Sequence, residues 1–246
     1  MEWEAPAIIL EARPYGEGDA LASVFTEAHG VHRGLARGGG ARGRTSLWQP
    51  GNLVQVRWVA RLADQLGSFT AELVHPAAAL AMDDPLTLAT LSGACAVAVG
   101  ALPERVAHRR VFQGLLRLIA GLSRETPMIA DLVRWEAAML ADLGYGLDLA
   151  ACAVTGSTES LTHVSPRSGR AVSEGAVGAW RERLLVLPGF LLDPDDDGCP
   201  ADWAAGLRLT GHFLARDAFG LHHKPLPSAR QMLYDRVAAL ETPNAG

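Results

Sequence analysis

The sequence predicts an α+β multidomain chain: a five-stranded OB-fold β-barrel over residues 1–78, then an all-α helical domain over residues 79–246 with a degenerate zinc-ribbon-like loop. Three observations carry this reading. Up to about Val74, short apolar runs alternate with Gly, Pro and Asp clusters, as strands and hairpin turns do. After His75-Pro76 the apolar spacing changes to three and four residues. Between Leu147 and Gly175 lies a turn-rich insertion with a single cysteine, Cys152.

The expected strands are AIILEAR, ALASVFTE, GVHRGLAR, NLVQVRWVAR and GSFTAELV. Five strands in about seventy residues hide their edges by closing into a small barrel, for which the OB-fold is the common solution. An SH3-like barrel has a similar strand count. Asp84 offers an N-cap with Pro85 at N1, and a helix is expected from there to about Leu102. Pro103-Glu104 should open a second helix, in which Val106, Val111, Leu115, Leu118 and Leu122 recur at helical spacing. Thr126-Pro127 should open a third, with Ile129, Leu132, Val133, Ala137, Leu140 and Leu143 on one face and Gly144 at its end. Two more are expected at PADWAAGLRLTGHFLARDAF and LPSARQMLYDRVAAL.

With 246 residues, 49% hydrophobic and 20% charged, the chain has material for a large core and the composition of a globular protein. Cys95, Cys152 and Cys199 are odd in number and scattered, which argues for a reduced, cytoplasmic setting. MEWEAPAIIL has no basic leader before its apolar run and is not read as an export signal. The apolar stretch from Leu86 to Leu102 falls short of the ~20 residues of a membrane span and is read as a buried helix.

A net charge of −5 argues against a surface that is basic throughout, but not against a local basic face. The stretch GGGARGRT, Gly38 to Thr45, matches the spacing of a phosphate-binding P-loop except that Arg44 stands where lysine belongs. A P-loop also needs a helix aimed at the phosphates, and SLWQPG does not supply one. What remains is charge. From Glu27 to Asp64 there is no intervening carboxylate, and the interval holds Arg33, Arg37, Arg42, Arg44, Arg57 and Arg61. His29 and His32 lie beside them, and Trp48 and Trp58 offer rings. Guanidinium groups suit phosphate oxygens and aromatic faces suit bases, as in strand-binding barrels. The alternative is a solvated turn, with the tryptophans filling the barrel.

The second half holds decoys. DPDDDGC, from Asp193, starts like a calcium loop, but Ala204 stands where the bidentate glutamate belongs and Pro200 breaks the loop. His212, His222 and His223 lack metal-ligand spacing, which leaves a histidine-based hydrolase without support. Cys152 opens C-x-x-T in place of C-x-x-C, so with His163 it has too few ligands for zinc. No catalytic constellation is recognisable.

Taken together, ARPYGEGDALASVFTEAHG, the Arg/Gly loop leading to LWQPGNLVQV, RWEAAMLADLGYGLDLAACAVTG and KPLPSARQML resemble the RecO family of bacterial recombination-repair mediators over nearly the whole chain. The resemblance implies an OB-fold that binds single- and double-stranded DNA and a protein that acts without chemistry. It also implies strand annealing, a partnership with RecR, and help for RecA in replacing single-strand-binding protein. That last protein is engaged through its acidic, apolar-ended tail, for which Arg134 and Trp135 are the first candidate contacts here and Arg109 and Arg110 the second. Some relatives carry a four-cysteine zinc site after the LGYG block. Here Thr155 and the cysteine-free GRAVSEGA depart from that pattern, so no metal and no cofactor are expected. The competing expectation is an adaptor barrel that binds only proteins.

Overall fold

A computed structural model describes residues 1–41, 43–62, 65–122 and 128–241. The chain divides into two compact units, residues 1–126 and 127–246. Twelve basic and twelve acidic side chains lie in the first, which is therefore neutral and leaves the charge of −5 on the second.

The first unit begins with strands β1 (Glu2–Tyr15), β2 (Asp19–Thr26), β3 (Gly30–Ala36), β4 (Leu53–Val59) and β5 (Ser68–His75). They close a barrel in the order β1-β2-β3-β5-β4, the OB-fold arrangement expected from the sequence. β1 starts five residues earlier than AIILEAR because Trp3 packs against the barrel core while its neighbours Glu2 and Glu4 face out. Alternate residues line the interior: Ala7 and Ile9 from β1, Ala22 and Val24 from β2, Val54, Val56 and Trp58 from β4, and Phe69 from β5. Closure rests on a short parallel seam in which Leu35 and Ala36 pair with Ser68 and Phe69. It is reinforced by the Leu35 N–H donating to Gly67 O at 3.0 Å.

An aromatic group adjoins the core. Trp3 stacks on His29 with ring centroids 4.4 Å apart, and His32 meets Trp58 edge-on at 4.7 Å. His32 is 6% exposed and neither ring nitrogen has a hydrogen-bond partner among the described residues. Burial, with smaller contributions from Arg105 and His29, pushes its pKa down to about 4, against a weak opposing pull from the His29 backbone.

Three helices complete this unit: α1 (Ala77–Leu80), α2 (Pro85–Ala101) and α3 (Arg109–Ala120). Asp84 caps α2 as the sequence predicts, accepting from the N–H groups of Leu86 and Thr87. The second helix does not open at Pro103. Residues 103–108 form an extended strap in which Arg105 has φ 64°, and the helix starts only at Arg109. Strand pairing outweighs helical spacing here, because Glu104 bridges to Val31 and the Arg105 N–H donates to Val31 O at 2.8 Å. The buried side of α3 is Val111, Phe112, Leu115, Leu118 and Ile119. The expected opening at Thr126-Pro127 lies outside the described residues.

The second unit contains α4 (Ile129–Asp142), β6 (Leu161–Val164), β7 (Ala171–Ser173), α5 (Glu174–Val177), β8 (Leu185–Val186), α6 (Pro200–Phe213) and α7 (Ser228–Glu241). It is helical with one addition: the turn-rich insertion and the residues after it fold a three-stranded antiparallel sheet, β7-β6-β8. Strands of two to four residues carry too few alternations to register as a period.

A buried ion pair joins α4, α6 and α7. Glu136 is fully buried and Arg230 is 1% exposed; Arg230 Nε and Nη2 donate to the two carboxylate oxygens at 2.5 and 2.9 Å. The Thr210 hydroxyl donates to Glu136 at 2.5 Å, and Arg230 Nη2 also reaches Leu207 O at 2.8 Å. Every charge is thus met by opposite charge or hydrogen bond, the condition under which burial is tolerable.

Glu136→Gln is expected to cost about 3–5 kcal/mol, because it strands the guanidinium in the interior. The paired change Glu136→Leu with Arg230→Met should recover much of that, read from urea unfolding. His32 binds a proton more readily unfolded than folded. Its contribution is therefore complete above about pH 6.5 and is lost as pH falls toward 4, by at most about 3 kcal/mol. Unfolding measured against pH should show that slope in the native protein and lack it in His32→Phe.

Candidate nucleic-acid interface

The glycine-rich segment is a packed turn. Gly38 N–H donates to Asp19 Oδ1 at 2.7 Å, Gly39 N–H to Ala36 O at 3.0 Å and Gly40 N–H to Gly18 O at 3.0 Å. A Cβ on Gly40 would stand 2.7 Å from Asp19 O, so this close approach of two backbones requires glycine. The N–H groups of Gly38, Gly39, Gly40, Ala41 and Arg44 are used internally, and turns rather than a helix follow Thr45. The loop's base is anchored by Asn52, whose Nδ2 donates to Ser46 O and Leu47 O and whose Oδ1 accepts from the Ala78 N–H.

What this scaffold projects outward is arginine. Arg37 and Arg44 are exposed on the β3–β4 loop, and Arg61 is exposed on the β4–β5 connection. None of the three has a carboxylate partner among the described residues. Gly67, at the end of the second connection, is hydrogen-bonded to Leu35, two residues before Arg37. Because the seam is parallel, the two connections run from its opposite ends: the β3–β4 loop packs on the β1–β2 turn, where Gly40 meets Gly18, and the β4–β5 connection lies by Met1 and Arg105. Arg42 lies outside the described residues.

Arg33 and Arg57 are differently placed. Both are exposed on outward faces of strands, but Arg33 Nε is 2.9 Å from Glu104 and Arg57 Nε is 2.6 Å from Glu2. Glu2 is held below the usual carboxylate range chiefly by that hydrogen bond. An exposed pair of this kind is weakened by solvent screening, so a phosphate can exchange for the carboxylate.

Trp48 corrects an expectation. It is 5% exposed, belongs to the barrel core and lies 6.3 Å from the Phe69 ring, so it has no free face for a base. Its position after a polar turn gave no sign of burial. Trp58 is likewise interior, with its Nε1–H donating to Leu66 O at 3.1 Å.

The expected docking cation is also corrected. The Arg134 guanidinium donates to Asp131 Oδ1 and to the carbonyls of Phe190, Asp193, Pro194 and Asp196, and lies 5.5 Å from the Phe190 ring centroid. It is spent on the acidic loop. Trp135 is 4% exposed and faces the core. Arg109 and Arg110, by contrast, are exposed at the start of α3.

The same contacts explain the calcium-like segment. Its carbonyls surround a guanidinium, while Asp193 and Asp196 side chains accept from the N–H groups of Asp195 and Gly198. Among the described residues no group of three or more His, Cys, Asp or Glu could hold a metal ion. Zinc does not fit the Cys152 loop. Its thiol accepts from the Ser173 N–H and hydroxyl, both at 3.3 Å, and with Thr155 these bonds bring its pKa down to about 6. One sulfur and two hydroxyls are not a zinc ligand set. His212 Nε2 sits 3.0 Å from Pro166 O, away from any catalytic arrangement. No described helix is long and apolar enough to cross a membrane.

Trp48→Ala is expected to destabilise the barrel by about 3–5 kcal/mol, whereas Trp48→Phe should leave oligonucleotide affinity unchanged. Thermal unfolding and fluorescence anisotropy, measured on both variants, check this.

Two family models match the chain: Recombination protein O N terminal over residues 1–77 and Recombination protein O C terminal over residues 82–227. The DNA repair protein RecO of Granulibacter bethesdensis is 60% identical over 242 residues, covering 98% of this chain and 97% of that protein. That of Acidiphilium cryptum is 58% identical over 240 residues, covering 96% of each. That of Gluconacetobacter diazotrophicus is 56% identical over 246 residues, covering 98% of this chain and 97% of that protein. A small barrel with an arginine-bearing rim, followed by a helical unit, agrees with these matches: the chain belongs to the RecO family of DNA repair proteins.

Proposed function

We propose that the protein is a non-catalytic, cytoplasmic mediator of recombinational repair that binds single- and double-stranded DNA through the loop rim of its barrel. The observation that carries this is the exposure of Arg37, Arg44 and Arg61 on the barrel's two long connections, without carboxylate partners among the described residues. Guanidinium groups grip phosphate oxygens and read no base edge, so binding is indifferent to sequence. Two strands neutralised on one surface repel each other less, which favours annealing. Family membership supports the remainder of the reading. Together with RecR, the protein helps RecA take over single-stranded DNA coated by single-strand-binding protein, whose acidic tail it engages through cations other than Arg134.

The reading of an adaptor barrel without direct DNA contact draws on one observation, the engagement of Arg33 and Arg57 by Glu104 and Glu2. Salt separates the two. A DNA-binding barrel loses affinity by roughly 0.7 log unit per log unit of salt for each single-strand phosphate contacted, and an adaptor shows no such slope.

Replacing Arg37, Arg42 and Arg44 by Ala is expected to weaken unrelated oligonucleotides equally and to lower the salt slope by about 2. Arg33→Ala and Arg57→Ala should each cost less, since those side chains give up an existing partner. Anisotropy titrations at two salt concentrations measure both effects; a loss confined to one base sequence would contradict backbone recognition. Annealing of DNA coated by single-strand-binding protein should fail with the triple variant.

A further inference from the structure

The unit that holds the barrel contains a second interval without carboxylates. After Glu104 no acidic residue occurs until Glu125, and the interval carries Arg105, Arg109, Arg110, Arg117 and Arg124. With the six arginines of the first interval, these account for all but Arg13 of the unit's basic side chains. A neutral unit has therefore separated its charge, with basic groups in two blocks and acidic groups elsewhere.

The fold brings the second block to the barrel. Because β5 pairs with β3 only at Leu35 and Ala36, the first half of β3 keeps an open edge. The strap occupies it through the Val31–Glu104 bridge and the Arg105 N–H to Val31 O. The contact is close enough that a Cβ on Gly30 would stand 2.0 Å from Val106 O. Glu104, the strap's carboxylate, is paired with Arg33, and Arg105 Nη2 reaches Gln65 O, on the same connection as Arg61, at 3.4 Å. Helix α3 is then fixed against the β2–β3 turn by Gln113 Nε2 donating to Glu27 at 2.7 Å, and against β2 by Phe112 meeting Phe25 edge-on at 5.4 Å. Its sequence, RRVFQGLLRLIA, contains no carboxylate. Arg109, Gln113 and Arg117 recur every four residues on its exposed side, with Arg110 beside them. The three arginines have no carboxylate partner among the described residues.

We propose that Arg109, Arg110 and Arg117, held against β3 by the strap, form a second phosphate-binding track that extends the barrel's interface along a single strand of nucleic acid. This rests on the reading of the barrel as a DNA-binding module. The track lengthens the footprint: a short oligonucleotide is satisfied by the barrel, and a longer one also engages α3. Fixed guanidinium groups on a helix contact backbone phosphates whatever the base sequence.

The test compares the full-length native protein, Arg109→Ala/Arg110→Ala/Arg117→Ala and Arg37→Ala/Arg44→Ala on labelled oligo-dT. One oligonucleotide is about 10 nucleotides long, within the ~4–16 that one such barrel occupies, and the other about 30. The α3 variant is expected to bind the short one as the native protein does. It should bind the long one at least about tenfold more weakly, with a salt slope lower by about 2. Unchanged binding of the long oligonucleotide by the α3 variant, with both weakened in the loop variant, would overturn the track and leave the barrel reading intact. Native-like binding of both oligonucleotides by both variants would overturn both. If the α3 variant keeps its DNA affinity but loses a peptide copying the acidic tail of single-strand-binding protein, α3 is a peptide site and the track is wrong.

Discussion

The two-residue parallel seam between β3 and β5 is the constraint on which the rest of the first unit depends. It closes the barrel, so Trp48, Trp58 and Phe69 become interior groups. It places the start of the β3–β4 connection and the end of the β4–β5 connection at its two ends, and each connection carries exposed arginine. Because it is short, it also leaves one edge of the first half of β3 open, and the strap covers that edge as an added strand would. A longer seam would exclude the strap and with it the route that brings α3 to the barrel.

The second unit is organised differently, around a charge pair removed from water. Glu136 and Arg230 are 94 residues apart and connect three helices. Such a pair contributes little net stability, since desolvation offsets most of the attraction. What it supplies is intolerance of misregistry: a shift of any one helix would leave a buried charge alone. The Cys152 loop solves a related problem on a smaller scale. There a thiol, two hydroxyls and a backbone amide tie the loop to the small sheet.

Most of the barrel was legible because apolar runs are separated by Gly, Pro and Asp clusters, and the Asp84 cap carried its own chemistry. The strap was not, since the helical spacing of Val111, Leu115 and Leu118 does not extend back to Val106, and the backbone bonds of Glu104 and Arg105 go to a strand more than seventy residues away. Trp48 and Arg134 misled for the same reason. An indole can face bases or fill a core, and a guanidinium can await a carboxylate or bind carbonyls some sixty positions distant. Composition cannot choose between such fates. Charge separation did survive into the structure: every described arginine of the carboxylate-free interval is exposed. The same arithmetic applied further along would have singled out the α3 segment.

Both basic blocks are built wholly of arginine, whose planar fork pairs with phosphate oxygens. One titratable liability of this unit is the imidazole of His32, enclosed by aromatic rings. Protonation of that ring as the pH falls toward 4 places a charge among packed indoles, and so weakens the container that carries the grip.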